Sequence, residues 1–365
     1  MSWSWLTESQ IAHPLAEWPQ YHDKRSSWFG RMTAGVVEIE TDGGLIGLGY
    51  IGGGKAAAAR VIIEDHFAQL LLGQNAADIE RLWEQLYRAS IMYGRRGVAI
   101  EALSGIDIAL WDIAGKAAGQ PVYQLIGGRT KDRLPAYVTG NLTERHRAEG
   151  FRDVKLALPY GPTDGEQGLR ANEDLVRRTR ELIGPDGDIM LDCYMALTVP
   201  YTIELARRLR PYRLKWLEEP LLPDDIDGLL RLREHVDIMI TGGEHEYTRW
   251  GFRELIERRA VDVVQPDIYR AGGLSELRKI AAMASAHGLP IIPHGVGAPT
   301  YHFIMATPNA PKAEFVDIFA QGGELMLEGE PVPAAGYVDL SEDPGFGYTL
   351  NPRALTGEAR IAVIW

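Results

Sequence analysis

The chain has 365 residues, of which 45% are hydrophobic and 24% charged, and carries a net charge of −12. This is an ordinary balance for a globular protein with a large core, and the length favours two domains. The acidic surplus and the lack of any basic run exclude a nucleic-acid or membrane surface as partner, no apolar run reaches the roughly 20 residues of a membrane span, and the single cysteine, Cys193, excludes an internal disulfide.

The start, Met1-Ser-Trp-Ser-Trp-Leu-Thr-Glu, has neither the basic region nor the apolar core of a signal peptide, so the expectation is a soluble cytoplasmic protein. Residues 1 to about 30 are irregular and rich in aromatic and charged side chains. Two strand patterns, 33–40 and 45–50, flank Asp42-Gly-Gly and predict a hairpin. Helical patterns follow at about 55–72, 76–89 and 97–118, the last with Ile100, Leu103, Ile106, Leu110 and Ile113 on one face. Gly119 and Pro121 read as its stop signal. Strands followed by helices make this first region α+β.

From about residue 133 strand and helix patterns alternate. Eight apolar runs predict strands at 134–139, 153–158, 188–193, 214–219, 238–243, 261–266, 290–293 and 313–318. Helical patterns separate them at 171–183, 201–210, 224–234, 249–258 and 273–287, with a weaker one at 296–312 that is broken by Pro299, Pro308 and Pro311. Eight such units favour a closed (β/α) TIM barrel over an open doubly wound sheet, and no Gly-rich dinucleotide fingerprint follows a first strand. The expected fold is α/β, a modified barrel over residues 131–330 with an α+β capping domain over 1–130. A Pro- and Gly-rich tail, 331–365, is expected to return to the cap.

Polar residues recur where the apolar runs end. Asp192, Glu218, Glu244, Asp267 and His294 stand 26, 26, 23 and 27 residues apart, about the length of one strand, one helix and two short loops. In a barrel all of them face one space at the C-terminal mouth. A single acid at a strand end is explained by capping the next helix; three in register, Asp192, Glu218 and Glu244, favour a shared Mg²⁺ with about three positions left for substrate. The tandem Glu218-Glu219 leaves open which carboxylate is the ligand. Asp267 and His294 lie on the next two strand ends, where a carboxylate can fix an imidazole that removes a proton from carbon. Lys155, across the mouth, either neutralises a substrate oxygen or pairs with an acid. Glu314, on the last strand, suits hydrogen bonding to substrate if its surroundings keep it protonated. Cys193, beside Asp192, reads as a buried, inert thiol.

Ala109-Leu-Trp-Asp-Ile-Ala-Gly-Lys-Ala-Ala-Gly-Gln-Pro-Val, Asp192, Trp216-Leu-Glu-Glu-Pro, Gly243-Glu-His245, Gln265-Pro-Asp267 and Pro293-His-Gly295 together resemble the enolase superfamily, within it the mandelate racemase branch. The resemblance spans nearly the whole chain. It implies Mg²⁺ on Asp192, Glu218 and Glu244, with Glu218 rather than Glu219 as ligand, and Asp267–His294 as a general acid/base dyad. Many members of that branch carry Lys-x-Lys on the second barrel strand; here it reads Lys155-Leu-Ala157, which disfavours a two-base racemase and favours a one-base elimination of water. The segment 151–165, Glu244-His245 and Pro344-Gly-Phe-Gly are similar to the L-rhamnonate dehydratases. That likeness implies that Arg25, with His13 and His22 as weaker candidates, contacts the substrate, and that His245 assists the leaving group.

The expected activity is therefore a hydro-lyase that dehydrates a sugar acid, an aldonate of the L-rhamnonate kind, to a 2-keto-3-deoxy acid. The substrate is a small molecule, and a homo-oligomer is expected. The rivals are epimerisation, racemisation, cycloisomerisation or dehydration of another sugar acid, and a barrel that binds metal or sugar acid without turnover.

Overall fold

A computed structural model of the chain describes residues 9–28, 34–52, 55–317, 326–354 and 362–364. Its first part is a hairpin against helices. Strands β1 (Gly35–Glu40) and β2 (Ile46–Ile51) pair antiparallel around a turn in which Gly44 takes a left-handed φ of 78°. Helix α1 (Ala56–Ile62) runs through a π-turn, Ile63–Phe67, into one more helical turn, and α2 (Ile79–Ser90) follows. The 21-residue α3 (Val98–Ala118) ends at Gly119, whose φ of 63° makes the left-handed C-cap expected of glycine. β2 lies so close to α3 that a Cβ at Gly49 would stand 1.8 Å from the Gly105 carbonyl oxygen. These elements enclose their own core, built on Val37, Ile39, Phe67, Leu82, Leu103 and Ile106.

The second part is the barrel. Parallel strands β3 (Leu134–Thr139), β4 (Val154–Ala157), β5 (Ile189–Asp192), β6 (Trp216–Glu218), β7 (Met239–Gly242) and β8 (Val263–Val264) neighbour one another in chain order, and β9 (Ala313–Val316) pairs back onto β3. The connecting helices are α4 (Gly165–Ile183), α5 (Val199–Leu209), α6 (Ile226–His235), α7 (Thr248–Glu257), α8 (Gly273–Ala286) and α9 (Ala298–Ala306). A short helix, Thr143–Ala148, joins β3 to β4. The run 290–293, expected as a strand, is reduced to bridges between Val264 and Ile291 and between Asp267 and His294. Pro290 and Pro293 remove two donors that a ladder needs there. Pro299 instead falls in the first turn of α9, where a missing N–H costs nothing, so the helix forms despite it. Inside the barrel Tyr137, Met190, Trp216, Val263 and Ile292 stack as a floor below the strand ends.

The two parts are joined by buried polar contacts. Trp83 Nε1 donates to the Gly272 carbonyl at 2.7 Å, and Trp111 Nε1 to Ser275 Oγ at 2.9 Å. Asp107 of α3 accepts from Ser275 Oγ at 2.5 Å and from its amide at 3.0 Å. The C-terminal segment returns as well: Phe346 N donates to Asp112, Tyr348 OH to the Leu48 carbonyl, and Ala362–Ile364 pairs parallel with β1. Among the described residues no helix is long and apolar enough to cross a membrane.

Burial pushes the Asp107 carboxyl up to about 7 from its ordinary 3.8, against the two serine hydrogen bonds. The native state therefore holds a proton that the unfolded chain releases above pH 4, so this group's contribution to stability falls as pH rises from about 4 to 7. Asp107→Asn is expected to flatten that decline, worth on the order of 4 kcal/mol at most. Urea denaturation at a series of pH values measures it; an unchanged pH slope in the variant excludes Asp107 as the cause.

Candidate active site

Asp192 and Glu218 are the last residues of β5 and β6, Glu244 follows β7 by two residues, and Asp267 and His294 form a parallel bridge past β8. All lie at the C-terminal end of the strands, and Lys155 on β4 and Glu314 on β9 complete the ring. Lys155 is completely buried. Its ammonium donates to Glu218, lies 2.7 Å from Glu314 Oε1, and stands 3.8 Å from Asp192 Oδ2. In this arrangement Lys155 pairs with acids. Burial opposes its charge, but Glu218 and Glu314 outweigh that and hold its pKa well above the usual lysine range.

Chain geometry separates the tandem acids. Glu218 ends the strand pointing inward, where Oε2 accepts from Trp216 Nε1 at 3.1 Å and from Gln265 Nε2 at 2.9 Å. Glu219 takes a φ of 38°, a left-handed conformation that costs a non-glycine residue about 1–3 kcal/mol. Its carboxylate is thereby aimed at the β7 loop, accepting from the amides of Gly243 and His245 at 3.2 Å each and from His245 Nδ1 at 2.6 Å.

His294 Nδ1 lies 3.0 Å from Asp267 Oδ2, and Asp267 Oδ1 accepts the Tyr269 amide at 2.7 Å. The second nitrogen, Nε2, stands 3.4 Å from Glu244 Oε1. Burial opposes protonation of His294, yet Glu244, Glu314 and Asp267 together raise it to about 9. Arg270, which the sequence reading missed, donates to Glu244 at 2.8 Å and lies 3.5 Å from Asp267, so one guanidinium braces the dyad and a candidate metal ligand together. Its three-residue spacing from Asp267 was the available signal. Gln265 and Thr139 were also missed; Thr139 Oγ1 donates to Glu314 at 2.5 Å.

Several expectations change. Glu314 is not a protonated donor: burial favours its neutral form, but Lys155, His294 and Thr139 hold it below the ordinary range as a carboxylate, and Oε2 accepts the Gly295 amide at 2.7 Å. His22 is paired with two acids, Nδ1 meeting Asp23 at 3.1 Å and Nε2 meeting Asp164 at 2.9 Å. Both partners raise its pKa, Asp23 foremost. His13 is buried with its ring 5.3 Å from that of Trp28. Next to it, the Ala12 amide donates to Leu158 just past β4, so this N-terminal segment does reach the mouth end of the barrel. Arg25 begins a 3₁₀ turn, and its side chain lies outside the described residues. Cys193 is buried, and burial pushes its thiol well above the ordinary value.

The donor set fits a hard divalent cation. Burial raises the Asp192 carboxyl above its ordinary range and Glu218 to about 8, against the pull of Lys155, a penalty on the charged forms that a bound cation would offset. Oxygen-only donors on neighbouring strands suit Mg²⁺. Among the described residues, however, the donor atoms that meet within 4.8 Å of one another belong to Glu219, Glu244 and His245. Asp192 and Glu218 are instead drawn toward Lys155.

Family models match both parts of the chain: "Mandelate racemase / muconate lactonizing enzyme, N-terminal domain" over residues 27–127 and "Enolase C-terminal domain-like" over 139–354. The chain belongs to the mandelate racemase/muconate lactonizing enzyme family of the enolase superfamily. Among relatives, it is 41% identical over 358 residues to an L-rhamnonate dehydratase of Saccharopolyspora erythraea, covering 95% of this chain and 91% of the relative. It also resembles the crystal structure of L-rhamnonate dehydratase from Gibberella zeae, with a TM-score of 0.91 and 43% identity over 96% of this chain and 91% of that one. The Mg complex of the Gibberella zeae rhamnonate dehydratase gives a TM-score of 0.91 and 42% identity, covering 96% and 88%. A magnesium-bound racemase from Streptomyces coelicolor is similar at a TM-score of 0.80 and 30% identity, covering 93% and 95%.

Proposed function

We propose that this chain is a hydro-lyase that dehydrates a sugar acid, an aldonate of the L-rhamnonate kind, to its 2-keto-3-deoxy acid, using Mg²⁺. The observation that carries the reading is the His294 imidazole, held by Asp267 beside a ring of buried carboxylates, with Ala157 where a second base would stand on β4. The relatives named as L-rhamnonate dehydratases support the substrate class. Residues 1–130 would form the cap over the substrate, 131–330 the barrel that carries the chemistry, and 331–365 the segment that returns to the cap.

Asp192, Glu218 and Glu244 would hold the cation. When bound it supplies Lewis acidity that makes the hydrogen beside a carboxylate removable. The Glu219–Glu244–His245 group is the second reading, favoured by its closeness, but its imidazole nitrogen suits a softer metal better than Mg²⁺. His294 Nε2, neutral once a cation offsets the Glu244 charge that does most to raise its pKa, takes the C2 proton, while Asp267 fixes Nδ1 as donor and favours the imidazolium that results. Electrons from the C2–H bond form the C2–C3 double bond as the C3–O bond breaks. The same Nε2 returns its proton to the departing hydroxide, so one base serves both steps on one face. The product enol then ketonises. Lys155 pairs with Glu218 and Glu314 and holds them in place, and Arg270 braces Glu244 and Asp267.

A panel of sugar acids tests the reading, with 2-keto acid formation as the readout and one arm run in D₂O. The expected result is loss of water with activity on L-rhamnonate or a close epimer, abolished by EDTA and restored by Mg²⁺. Exchange of the C2 hydrogen without loss of water would instead identify an epimerase.

A further inference from the structure

Glu330 is a buried acid that the mechanism above leaves unused. It lies in the C-terminal part of the chain, just past a short strand, Leu327–Glu328, that pairs with Thr349–Leu350. Its Oε2 accepts the Ala298 amide at 2.7 Å, the first residue of α9 and four past His294. The phenols of Tyr50 on β2, Tyr269, Tyr301 and Tyr348 lie close enough to feel its charge. Burial pushes its carboxyl up to about 7, and only the Ala298 amide opposes that. A carboxyl placed in such surroundings with one backbone partner is costly unless it holds something in place.

What it holds is the loop that carries the base. Two carboxylates grip that loop from opposite ends, Glu314 at the Gly295 amide and Glu330 at the Ala298 amide. Between them Tyr269 OH donates to the Val296 carbonyl at 3.1 Å, while the Tyr269 amide is bonded to Asp267. Tyr269 packs edge-on against Tyr50 of the cap at 5.2 Å. Gly297 permits the close fit: its φ is 114°, and a Cβ there would lie 2.3 Å from the Tyr269 hydroxyl.

We propose that Glu330 is a positioning residue for His294: a carboxylate from the returning C-terminal segment fixes the 294–298 loop, and with it the angle at which His294 Nε2 meets the substrate. The catalytic consequence rests on the dehydratase reading; the fixing of the loop does not. Misplacement of a reacting group by about 1 Å costs on the order of 10²-fold in rate.

The test compares Glu330→Ala and Glu330→Gln with the wild type in three measurements: hydrogen exchange of peptides spanning 294–301, thermal stability, and kinetics on the sugar acid that the wild type turns over. Glu330→Ala is expected to speed exchange in those peptides and to lower kcat by 10- to 100-fold with KM little changed. Glu330→Gln, whose amide oxygen still accepts from Ala298, should restore both. Unchanged exchange in Glu330→Ala overturns the proposal, as does faster exchange with a normal kcat, or a kcat loss that only follows lowered melting temperature in both variants. A wild type inert toward every sugar acid would refute the dehydratase reading, and the exchange measurement would still decide whether Glu330 holds the loop.

Discussion

Replacing His294 with Asn is expected to lower kcat by on the order of 10⁴-fold, the upper end of what one acid/base group supplies, because the same nitrogen serves proton removal and proton return. Asn keeps a polar side chain of similar reach toward Asp267 but has no group that accepts a proton at neutral pH. Mg²⁺ affinity, measured by titration calorimetry, should stay near that of the wild type, since the cation would rest on carboxylates of other strand ends. The variant should also fail to exchange the C2 hydrogen in D₂O. Near-normal dehydration by His294→Asn removes the Asp267–His294 pair from the mechanism.

Lys155→Met carries the largest expected cost in stability. It retains most of the side-chain volume and deletes the one ammonium that faces Glu218, Glu314 and Asp192 inside the barrel. Breaking a buried ion pair by removing one partner costs about 3–5 kcal/mol, because the remaining charges lose their compensation. Denaturant unfolding of the metal-free protein measures it. Adding Glu314→Gln to Lys155→Met should recover part of the loss, which makes the coupling between the two positions visible as non-additivity. A loss below 1 kcal/mol for Lys155→Met would contradict the account of a cation-dependent carboxylate ring.

Much of this site was legible because strand ends in a barrel share one address. The near-constant spacing of Asp192, Glu218, Glu244, Asp267 and His294 placed them at one mouth without any knowledge of contacts, and the barrel puts them there. Partner choice was less legible. Lys155 lies within reach of three acids, and which of them it meets depends on side-chain torsions that spacing does not encode. Glu314 illustrates the same limit: its ionisation is set by Lys155, Thr139 and His294, all remote in sequence. His22 looked like a substrate ligand by resemblance, yet Asp164, 142 residues away, takes one of its nitrogens. Arg270 was readable in principle, since a residue three past Asp267 in a turn shares its side of the chain. The strand expected at 290–293 failed for a local reason, its two prolines.

The most direct test of the central claim is a crystal structure with Mg²⁺ and an unreactive sugar-acid analogue. It should show Asp192, Glu218 and Glu244 around the cation, with His294 Nε2 facing the analogue's C2. A cation on Glu219, Glu244 and His245 with Asp192 and Glu218 still turned to Lys155, or His294 directed away from C2, would contradict it.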